Sequence, residues 1–340
     1  MSLPTRSLGR NGPQVPAIGL GLMSFSGWYG QENTSIESSL KFLDKAHEIG
    51  ERFWDTADVY VGSEDRVGEW FARSGKRSDI FLATKFSLTQ GSDGSLIARN
   101  DPEYIRECCD KSLKKLRTDI IDLFYCHRVD DKTPIEVTVQ AMAELKREGK
   151  IRHLGLSECS ADTIRRAHAV HPISAYQVEY SPLFLDIESE ETQVLSTCRE
   201  LGIAIVAYSP VGRGLLAGKI RSLSDMPEND WRRGVAKLTG DNFPKITALV
   251  DKIAAIGKRH NASPAQVCLA WVAAQGDEFF SIPGTTTIKY LEENTAAVNV
   301  KLTNEEVQEL RDYANATELP GDRYPPNMLS MLFNDSVPLI

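Results

Sequence analysis

Arg52–Tyr60, with the sequence RFWDTADVY, joins a short apolar run to a polar segment that follows it directly. The run at Arg52–Trp54 is typical of a strand buried on both faces, because such strands are continuously apolar and do not alternate. Asp55 stands where that strand would end. The helical pattern that comes next completes a strand–loop–helix unit, which is the building block of α/β folds.

The same unit recurs along the whole chain, with helical stretches between the apolar runs. Several of the helical stretches begin with recognisable capping residues. These caps are Thr34–Glu37, Asp101 before Pro102, Ser263–Gln266 and Thr303–Glu306. The eight runs are Pro16–Gly21, Arg52–Trp54, Ile80–Thr84, Ile121–Cys126, His153–Leu156, Ala175–Val178, Ile203–Ala207 and Glu278–Ile282. Eight strand–helix units without an interior linker predict an α/β fold of the (β/α)8 TIM-barrel class, formed by residues 1–340 as a single domain. A doubly wound open sheet is the alternative.

Three segments lie outside the alternation of strands and helices. Leu3–Val15 contains Asn11-Gly12 between two short runs, which predicts a β-hairpin that caps the bottom of the barrel. Gly212–Asn242 is a long polar insertion after the seventh strand, and Thr317–Ile340 is a proline-containing tail after the last helix. Segments of this length are usually functional or mobile.

The composition is that of a globular protein and disfavours several classes of function. Of the 340 residues, 41% are hydrophobic and 25% are charged, with a net charge of −8 and no basic run, so we expect no nucleic-acid partner. No apolar run is long enough to span a membrane, and Met1–Arg10 lacks the apolar core of a secretory signal. The six cysteines form no C-x-x-C pair and no metal-ligand pattern. We therefore expect reduced thiols, no metal and a cytoplasmic protein.

Polar side chains follow three consecutive strands at the point where each strand ends. Asp55 and Tyr60 follow the second strand, Lys85 follows the third, and His127 follows the fourth. Because the carboxyl ends of barrel strands meet at one face, which is where barrel enzymes carry their chemistry, we expect these four side chains to lie together.

The four side chains form a chemically coherent set. A phenol has a pKa of about 10 and is a poor acid at neutral pH, but a buried ammonium beside a phenol favours the phenolate. A carboxylate keeps such an ammonium charged, and a histidine orients a carbonyl oxygen or relays a proton. A carbonyl that accepts a hydride needs a proton donor of this kind. Each residue alone has a structural explanation, as a helix cap, a rim residue, an ion-pair partner or a packed histidine, but together they indicate carbonyl reduction.

Residues 50–60, with the sequence GERFWDTADVY, resemble the G-x-R-x-x-D-T-A-x-x-Y signature of the aldo-keto reductases. The resemblance extends from Leu8 to about Asn315. It is closest to the plant and fungal branch that includes perakine reductase, as judged from Tyr125–Arg128, Asp162–Pro172 and Gly212–Leu215. It implies a tetrad in which Tyr60 donates the proton, Lys85 tunes Tyr60, Asp55 pairs with Lys85, and His127 orients the carbonyl.

The same resemblance implies that NADPH, or alternatively NADH, binds extended across the strand ends without a Rossmann fold. Ser157 and Gln177 are then expected to bind the nicotinamide carboxamide, and Tyr208 to stack on the nicotinamide ring. The loop Ser209–Lys219 is expected to cover the pyrophosphate, through Ser209, Pro210, Gly212, Arg213 and Gly214. The adenosine phosphate end is assigned to Gly284, Thr285, Thr286, Lys289, Glu293 and Asn294.

The sequence departs from the family pattern at four positions. Glu158 replaces a common asparagine after Ser157, and Val61 is inserted after Tyr60. Gly284 stands where many members have lysine, and Tyr290 where many have the arginine that grips the 2′-phosphate. Lys289 beside Tyr290 is expected to substitute, although an ammonium lacks the planar fork of a guanidinium.

The partner expected from these residues is a small-molecule carbonyl substrate. Residues in loops over the active face would form an aromatic pocket, with the tail around Arg323–Phe333 closing over it. These pocket residues are Met23, Trp28, Tyr29, Phe86 and Arg128. Two other functions stay open: a Schiff-base aldolase with Lys85 as nucleophile, and a cofactor-binding regulatory protein similar to the β-subunits of potassium channels. The sequence predicts no oligomeric state.

Overall fold

The structure is a computed structural model that describes residues 3–27, 35–91 and 95–339. Within these ranges, strands and helices alternate in the order expected for a barrel. The strands are β1 Thr5–Ser7, β2 Gln14–Pro16, β3 Leu20–Gly21, β4 Phe53–Asp55, β5 Phe81–Phe86, β6 Leu88–Gln90, β7 Leu96–Ala98, β8 Ile121–Cys126, β9 Ile151–Ser157, β10 Ala175–Glu179, β11 Ala204–Tyr208 and β12 Phe279–Ser281. The helices are α1 Ile36–Glu48, α2 Ser63–Ser74, α3 Pro102–Leu116, α4 Ile135–Arg147, α5 Ala161–Val170, α6 Val194–Leu201, α7 Asn242–Arg259, α8 Pro264–Ala273, α9 Ile288–Ala296 and α10 Asn304–Ala316.

Eight of the strands form one parallel sheet whose spatial order equals the chain order, from β3 and β4 through β5, β8, β9, β10 and β11 to β12. The first and last strands are joined by parallel bridges from Ile18 to Ser281 and from Gly21 to Gly284. The backbone N–H of Gly19 also donates to the carbonyl of Ser281 at 2.8 Å. These contacts close the sheet, so the predicted (β/α)8 barrel is confirmed and the open-sheet alternative is wrong.

Each barrel strand separates two apolar layers, because successive side chains of a strand point to opposite faces. In β5, Ala83 belongs to the cluster inside the barrel, whereas Leu82 and Phe86 belong to the larger cluster between strands and helices. Tyr125 lies in the inner cluster, and a Cβ atom at Gly155 would be 2.4 Å from its ring. The glycine in β9 therefore leaves room for the aromatic ring of β8.

The N-terminal hairpin lies at the bottom of the barrel, as predicted. β1 and β2 pair antiparallel, and Leu8 and Val15 beside them pack into the cluster inside the barrel. The predicted helix caps at Asp101, Ser263 and Thr303 are also present. At α1 the cap is Ser35, whose side chain accepts from the N–H of Ser38. The predicted cap residue Thr34 lies outside the described residues.

The opposite end of the barrel is covered by the long loop after β11 and by the C-terminal tail. The tail is anchored on the rim, where the N–H of Ser160 donates to the carbonyl of Asn334 at 3.0 Å and the N–H of Asn334 donates to the carbonyl of Glu158 at 3.3 Å. A further hairpin of β6 and β7 follows β5 and has no counterpart in the sequence prediction. In the described part of the chain, no helix is long and apolar enough to cross a membrane.

Candidate active site

Asp55 and Lys85 form a buried ion pair at the carboxyl ends of the neighbouring strands β4 and β5. The ammonium of Lys85 donates to the Oδ1 atom of Asp55 and to the carbonyl of Thr56, the latter at 2.7 Å. Burial lowers the pKa of Lys85 and raises the pKa of Asp55, while their mutual attraction opposes both shifts. The opposite charges thus balance each other inside the barrel.

Gln177, in the middle of β10, contacts this pair across the barrel interior. Its Nε2 atom donates to the Oδ2 atom of Asp55 at 2.8 Å. Because Lys85 uses the other carboxylate oxygen, both oxygens of Asp55 have partners. Gln177, which was expected to bind a nicotinamide carboxamide, thus uses its amide N–H to orient Asp55.

Tyr60 and His127 lie above the ion pair and face each other. Tyr60 is in the turn after β4, where its N–H donates to the carbonyl of Ala57 at 3.1 Å. The ammonium of Lys85 is 5.2 Å from the centroid of the Tyr60 ring. The Tyr60 and His127 rings meet edge to face with centroids 6.0 Å apart. The structure therefore brings together all four members of the expected tetrad.

His127 is held in its neutral form. Burial lowers its pKa well below the ordinary value, and the positive charges of Arg128 and Lys85 lower it further. A neutral imidazole carries one N–H donor and one acceptor nitrogen. His127 is thus suited to donating a hydrogen bond to a carbonyl oxygen near Tyr60 without itself carrying a charge.

Arg128 reaches from the end of β8 to the end of β9. Its Nη1 atom donates to the carbonyl of His127 at 2.6 Å and to the Oγ atom of Ser157 at 3.2 Å. The residue is only 7% exposed. The hydroxyl of Ser157, the first expected carboxamide ligand, is therefore already in contact with a guanidinium.

Glu158, which replaces the common asparagine, is the partner of an arginine from the C-terminal tail. Arg323 donates from Nη1 to Oε1 at 3.0 Å and from Nη2 to Oε2 at 2.5 Å. The hydroxyl of Tyr208 also donates to Oε1 at 2.8 Å. Burial works to raise the pKa of Glu158, but Arg323, Arg128 and Tyr208 lower it more, so the carboxylate is charged. An asparagine could not form this ion pair.

Glu179, at the end of β10, holds Arg213 of the long loop in a two-bond pair. The Nε and Nη2 atoms of Arg213 each donate to one carboxylate oxygen at 2.7 Å. Arg323 adds a weaker contact to the same carboxylate at 3.3 Å. The Arg213 side chain is buried, so its charge does not point outward to a pyrophosphate as the sequence analysis expected.

Aromatic side chains from the loop and the tail cover these ion pairs. Tyr324 stacks on Trp231 with ring centroids 6.0 Å apart, and the guanidinium of Arg213 lies 4.3 Å from the Tyr324 ring centroid. The hydroxyl of Tyr324 is 3.0 Å from that of Tyr208, the ring expected to stack on a nicotinamide. The tail therefore does close over the site, and it does so together with the long loop.

The residues expected at the adenosine end lie between β12 and α9. Gly284 lies three residues after the end of β12 and bridges to Gly21, and Lys289 is exposed in the first turn of α9. The carboxylate of Glu293 accepts a hydrogen bond at 2.5 Å from the hydroxyl of Ser263, which is the N-cap residue of α8. Lys219 of the long loop lies 4.0 Å from the centroid of the Tyr290 ring and connects the loop to this end. Thr285, Thr286 and Asn294 lie in the same segment and are partly exposed.

The predicted substrate pocket is only partly supported by the positions of its residues. Met23 is half-buried in a short 3-10 helix after β3, at the catalytic end, and Arg128 lies beside His127. Phe86 requires a correction: it packs outward against Phe124, with ring centroids 4.9 Å apart, because it follows the inward-facing Lys85. Trp28 and Tyr29 lie outside the described residues.

Sequence reasoning missed the residues that hold the tail and the loop in place. These are Glu179, Trp231, Arg323 and Tyr324. The one available signal was a carboxylate directly at the end of an apolar run, at Glu179. The partners in the tail had no local signal, because their contacts join positions far apart in the chain.

Comparison with known proteins identifies the family. The sequence profile described as "Aldo/keto reductase family" matches residues 17–315. The chain belongs to the aldo/keto reductase family. It is therefore an oxidoreductase.

This aldo/keto reductase is similar over its whole length to curated relatives. Aldo-keto reductase str7 of Strobilurus tenacellus is 54% identical over 329 residues, which is 95% of this chain and 95% of the relative. Aldo-keto reductase yakc [NADP(+)] of Schizosaccharomyces pombe is 46% identical over 342 residues and covers 100% of this chain and 99% of the relative. Among solved structures, the glycerol dehydrogenase AKR11B4 from Gluconobacter oxydans superposes with a TM-score of 0.82 at 25% identity, covering 100% of this chain and 99% of the other.

Proposed function

We propose that this aldo/keto reductase reduces an aldehyde or ketone to the alcohol, with NADPH as the hydride source and Tyr60 as the proton donor. The observation that carries the proposal is the convergence of Tyr60, His127 and the Asp55–Lys85 pair at the carboxyl ends of adjacent strands. No other cluster in the described residues combines a phenol, a buried ammonium and a neutral imidazole.

Each member of the tetrad has one task in this mechanism. When bound, NADPH supplies a hydride to the carbonyl carbon. Tyr60 donates its hydroxyl proton to the carbonyl oxygen as negative charge develops there. The Lys85 ammonium stabilises the phenolate left on Tyr60, and Asp55 keeps Lys85 charged despite its burial. The neutral His127 donates a hydrogen bond that orients the carbonyl.

The side chains at the rim have the donors that NADPH requires. Tyr208 offers a half-buried ring, Ser157 a hydroxyl, and Lys289 an exposed ammonium for the 2′-phosphate. Gly212 and Gly214 have positive φ values of 54° and 87°, which favour glycine, and a Cβ atom at Gly212 would lie 2.9 Å from Leu216. We assign the pyrophosphate to the backbone N–H groups of this turn.

The name of the yakc relative, which includes NADP(+), supports the choice of NADPH over NADH.

Three broader assignments accompany this proposal. We place the chain in the branch that includes perakine reductase, and we treat residues 1–340 as one domain. A cytoplasmic location is supported by six cysteines that are all buried and unpaired in disulfides, as is usual in a reducing compartment.

The contacts of Lys85 argue against the aldolase alternative. A Schiff-base lysine must present a neutral amine to its substrate. Lys85 instead is fully buried, paired with Asp55 and bonded to the carbonyl of Thr56. The regulatory alternative would require cofactor binding without turnover, which the experiment below would reveal.

The proposal is tested by following the oxidation of NADPH or NADH by the purified protein with a panel of aromatic and aliphatic aldehydes. We expect oxidation of NADPH in proportion to alcohol formed, with a smaller rate for NADH. Tight binding of NADPH without alcohol formation on the whole panel would contradict the reductase proposal and favour the regulatory function.

A further inference from the structure

Among the described residues, five cationic side chains are buried at the catalytic end of the barrel, and four of them have carboxylate partners. Lys85 pairs with Asp55, Arg213 with Glu179, Arg323 with Glu158, and Arg232 of the long loop with Asp230. The fifth is Arg128. Within residues 3–27, 35–91 and 95–339, no carboxylate oxygen lies within 4.0 Å of its guanidinium nitrogens.

The nearest carboxylate, Glu158, has no capacity left for Arg128. Its Oε1 atom accepts from Arg323, from Tyr208 and from the N–H of Glu179, and its Oε2 atom accepts from Arg323. Burial works against the charge of Arg128, but the nearby Tyr208, Glu158, Tyr324 and Tyr60 raise its pKa, so the guanidinium is charged. Arg128 is therefore a buried positive charge without a carboxylate partner among the described residues.

Arg128 is rigidly placed beside the reacting groups. Its Nη1 atom is held by the carbonyl of His127 and the hydroxyl of Ser157, at 2.6 and 3.2 Å. It follows His127 directly in the chain, and its electrostatic neighbours include both Tyr60 and Tyr208. The guanidinium is thus near enough to interact electrostatically with both the proton donor Tyr60 and Tyr208, the ring expected to contact the nicotinamide.

A buried charge without a partner is unfavourable unless a ligand brings the opposite charge. A guanidinium is especially suited to a carboxylate, because its planar fork matches the two oxygens. The nicotinamide end of NADPH carries no anionic group, and the expected phosphate sites are at the loop Ser209–Lys219 and at α9. Among the described residues and the expected cofactor contacts, this leaves the substrate as the source of a negative charge at Arg128.

We propose that Arg128 binds a carboxylate that the substrate carries close to its carbonyl carbon, so that the preferred substrates are oxo acids in which the two groups are neighbours. This inference rests on the proposed reductase function. It makes Arg128 a specificity-determining residue, which acts on substrate choice and not on proton transfer.

The test compares phenylglyoxylate with its methyl ester, because esterification removes the charge beside the ketone and adds only a methyl group. The ratio of kcat/KM for acid and ester is measured in wild type, Arg128→Met and Arg128→Lys. We expect Arg128→Met to lower this ratio by about 10- to 100-fold, as for loss of a hydrogen bond to a charged group, and Arg128→Lys to restore part of it. Taking the ratio between variants removes the intrinsic difference in reactivity between acid and ester.

The matched control is Arg10→Met, which removes a guanidinium at the opposite end of the barrel, where Arg10 contacts the carbonyl of Glu200. The control should leave the acid-to-ester ratio unchanged. A ratio in Arg128→Met within about threefold of wild type would overturn the inference, while reduction of the ester would still support the reductase function.

A second measurement needs neither turnover nor a stable variant. Benzoate and methyl benzoate are titrated into the wild-type protein saturated with NADPH, and binding is followed by the fluorescence of the cofactor. We expect benzoate to bind at least about tenfold more tightly than the ester, in line with one charged hydrogen bond. Equal binding, or tighter binding of the ester, would contradict the role of Arg128 even if no carbonyl substrate is found.

Discussion

Both ends of the barrel contain buried carboxylates that pair with arginines, but the arginines come from different parts of the fold. At the N-terminal end, Asp122 pairs with Arg77 and Arg152 and also accepts from the N–H of Leu82. These partners belong to neighbouring strands or to the turn before β5. At the C-terminal end, Glu158 and Glu179 bind arginines from the tail and from the long loop.

The two ends therefore differ in role: we expect the charged groups of the N-terminal end to stabilise the fold and those of the C-terminal end to support the reaction. At the N-terminal end, charged groups join elements that the barrel already brings together, so their removal should weaken the fold and leave the reaction intact. At the C-terminal end, the ion pairs position segments that cover the candidate site, and we propose that Tyr60, His127 and Arg128 act there on a substrate. This agrees with the general rule that barrel chemistry lies at the carboxyl ends of the strands.

The largest effect should come from Tyr60→Phe at the catalytic end. The variant lacks the proton donor but keeps the ring, so we expect kcat to fall by about 10²- to 10⁴-fold while the Kd for NADPH stays within about twofold. Steady-state rates and a fluorescence titration of NADPH measure the two quantities. Turnover close to that of wild type would remove Tyr60 from the mechanism.

The matched control at the other end is Asp122→Ala. Loss of this carboxylate leaves Arg77 and the N–H of Leu82 without their partner, so the free energy of unfolding should fall by about 3 kcal/mol. Urea denaturation measures this loss. The kcat of the folded fraction should be unchanged. A large fall in kcat would contradict the view that the N-terminal end contributes to stability and not to the reaction.

The pH dependence of the free energy of unfolding at Glu51 is a further test of this comparison. It is buried before β4, accepts from Thr295 at 2.6 Å, and burial raises its pKa to about 7. At pH values between the ordinary pKa of 4.5 and the raised pKa of about 7, the carboxyl group of Glu51 is deprotonated in the unfolded chain but protonated in the folded protein. The free energy of unfolding therefore declines as pH rises through this range. The free energy of unfolding of wild type relative to Glu51→Gln should therefore fall by roughly 3 kcal/mol from pH 4.5 to 7. A difference that is independent of pH would show that Glu51 ionises normally in the folded protein.

The smallest of these effects is expected at the tail. Glu158→Asn removes the two-bond partner of Arg323, so the tail should be held less firmly and the KM for the carbonyl should rise by about tenfold, with a smaller change in kcat. Trypsin cleavage after Arg323, followed by mass spectrometry, should be faster than in wild type, where this side chain is buried.

Arg323→Met provides the partner for a double-mutant cycle with Glu158→Asn. Because the two residues share one contact, the double variant should raise KM no further than either single variant. Additive increases would mean that Glu158 acts independently of the tail.

The sequence alone was sufficient to predict the barrel and the proximity of Asp55, Tyr60, Lys85 and His127, and the reason is local. Asp55 and Lys85 each follow an apolar run directly, and parallel strands bring such positions together.

The prediction for Phe86 was wrong because β5 extends to Phe86 instead of ending at Thr84, and the alternation of side chains along the strand then turns Phe86 outward. The contact between Glu158 and Arg323 joins residues 165 positions apart, and no local pattern encodes which arginine reaches a given carboxylate. The β6–β7 hairpin was missed for the related reason that its three-residue strands are too short to show a period.

We propose that a carbonyl bound at the carboxyl end of this barrel receives a hydride from NADPH at its carbon and a proton from Tyr60 at its oxygen. The most direct test supplies NADPH that is deuterated at the transferable position of its nicotinamide and analyses the alcohol product by mass spectrometry. The account predicts one deuterium on the carbinol carbon with wild type, and almost no alcohol with Tyr60→Phe. Alcohol that contains no deuterium, or equal deuterated product from Tyr60→Phe, would contradict it.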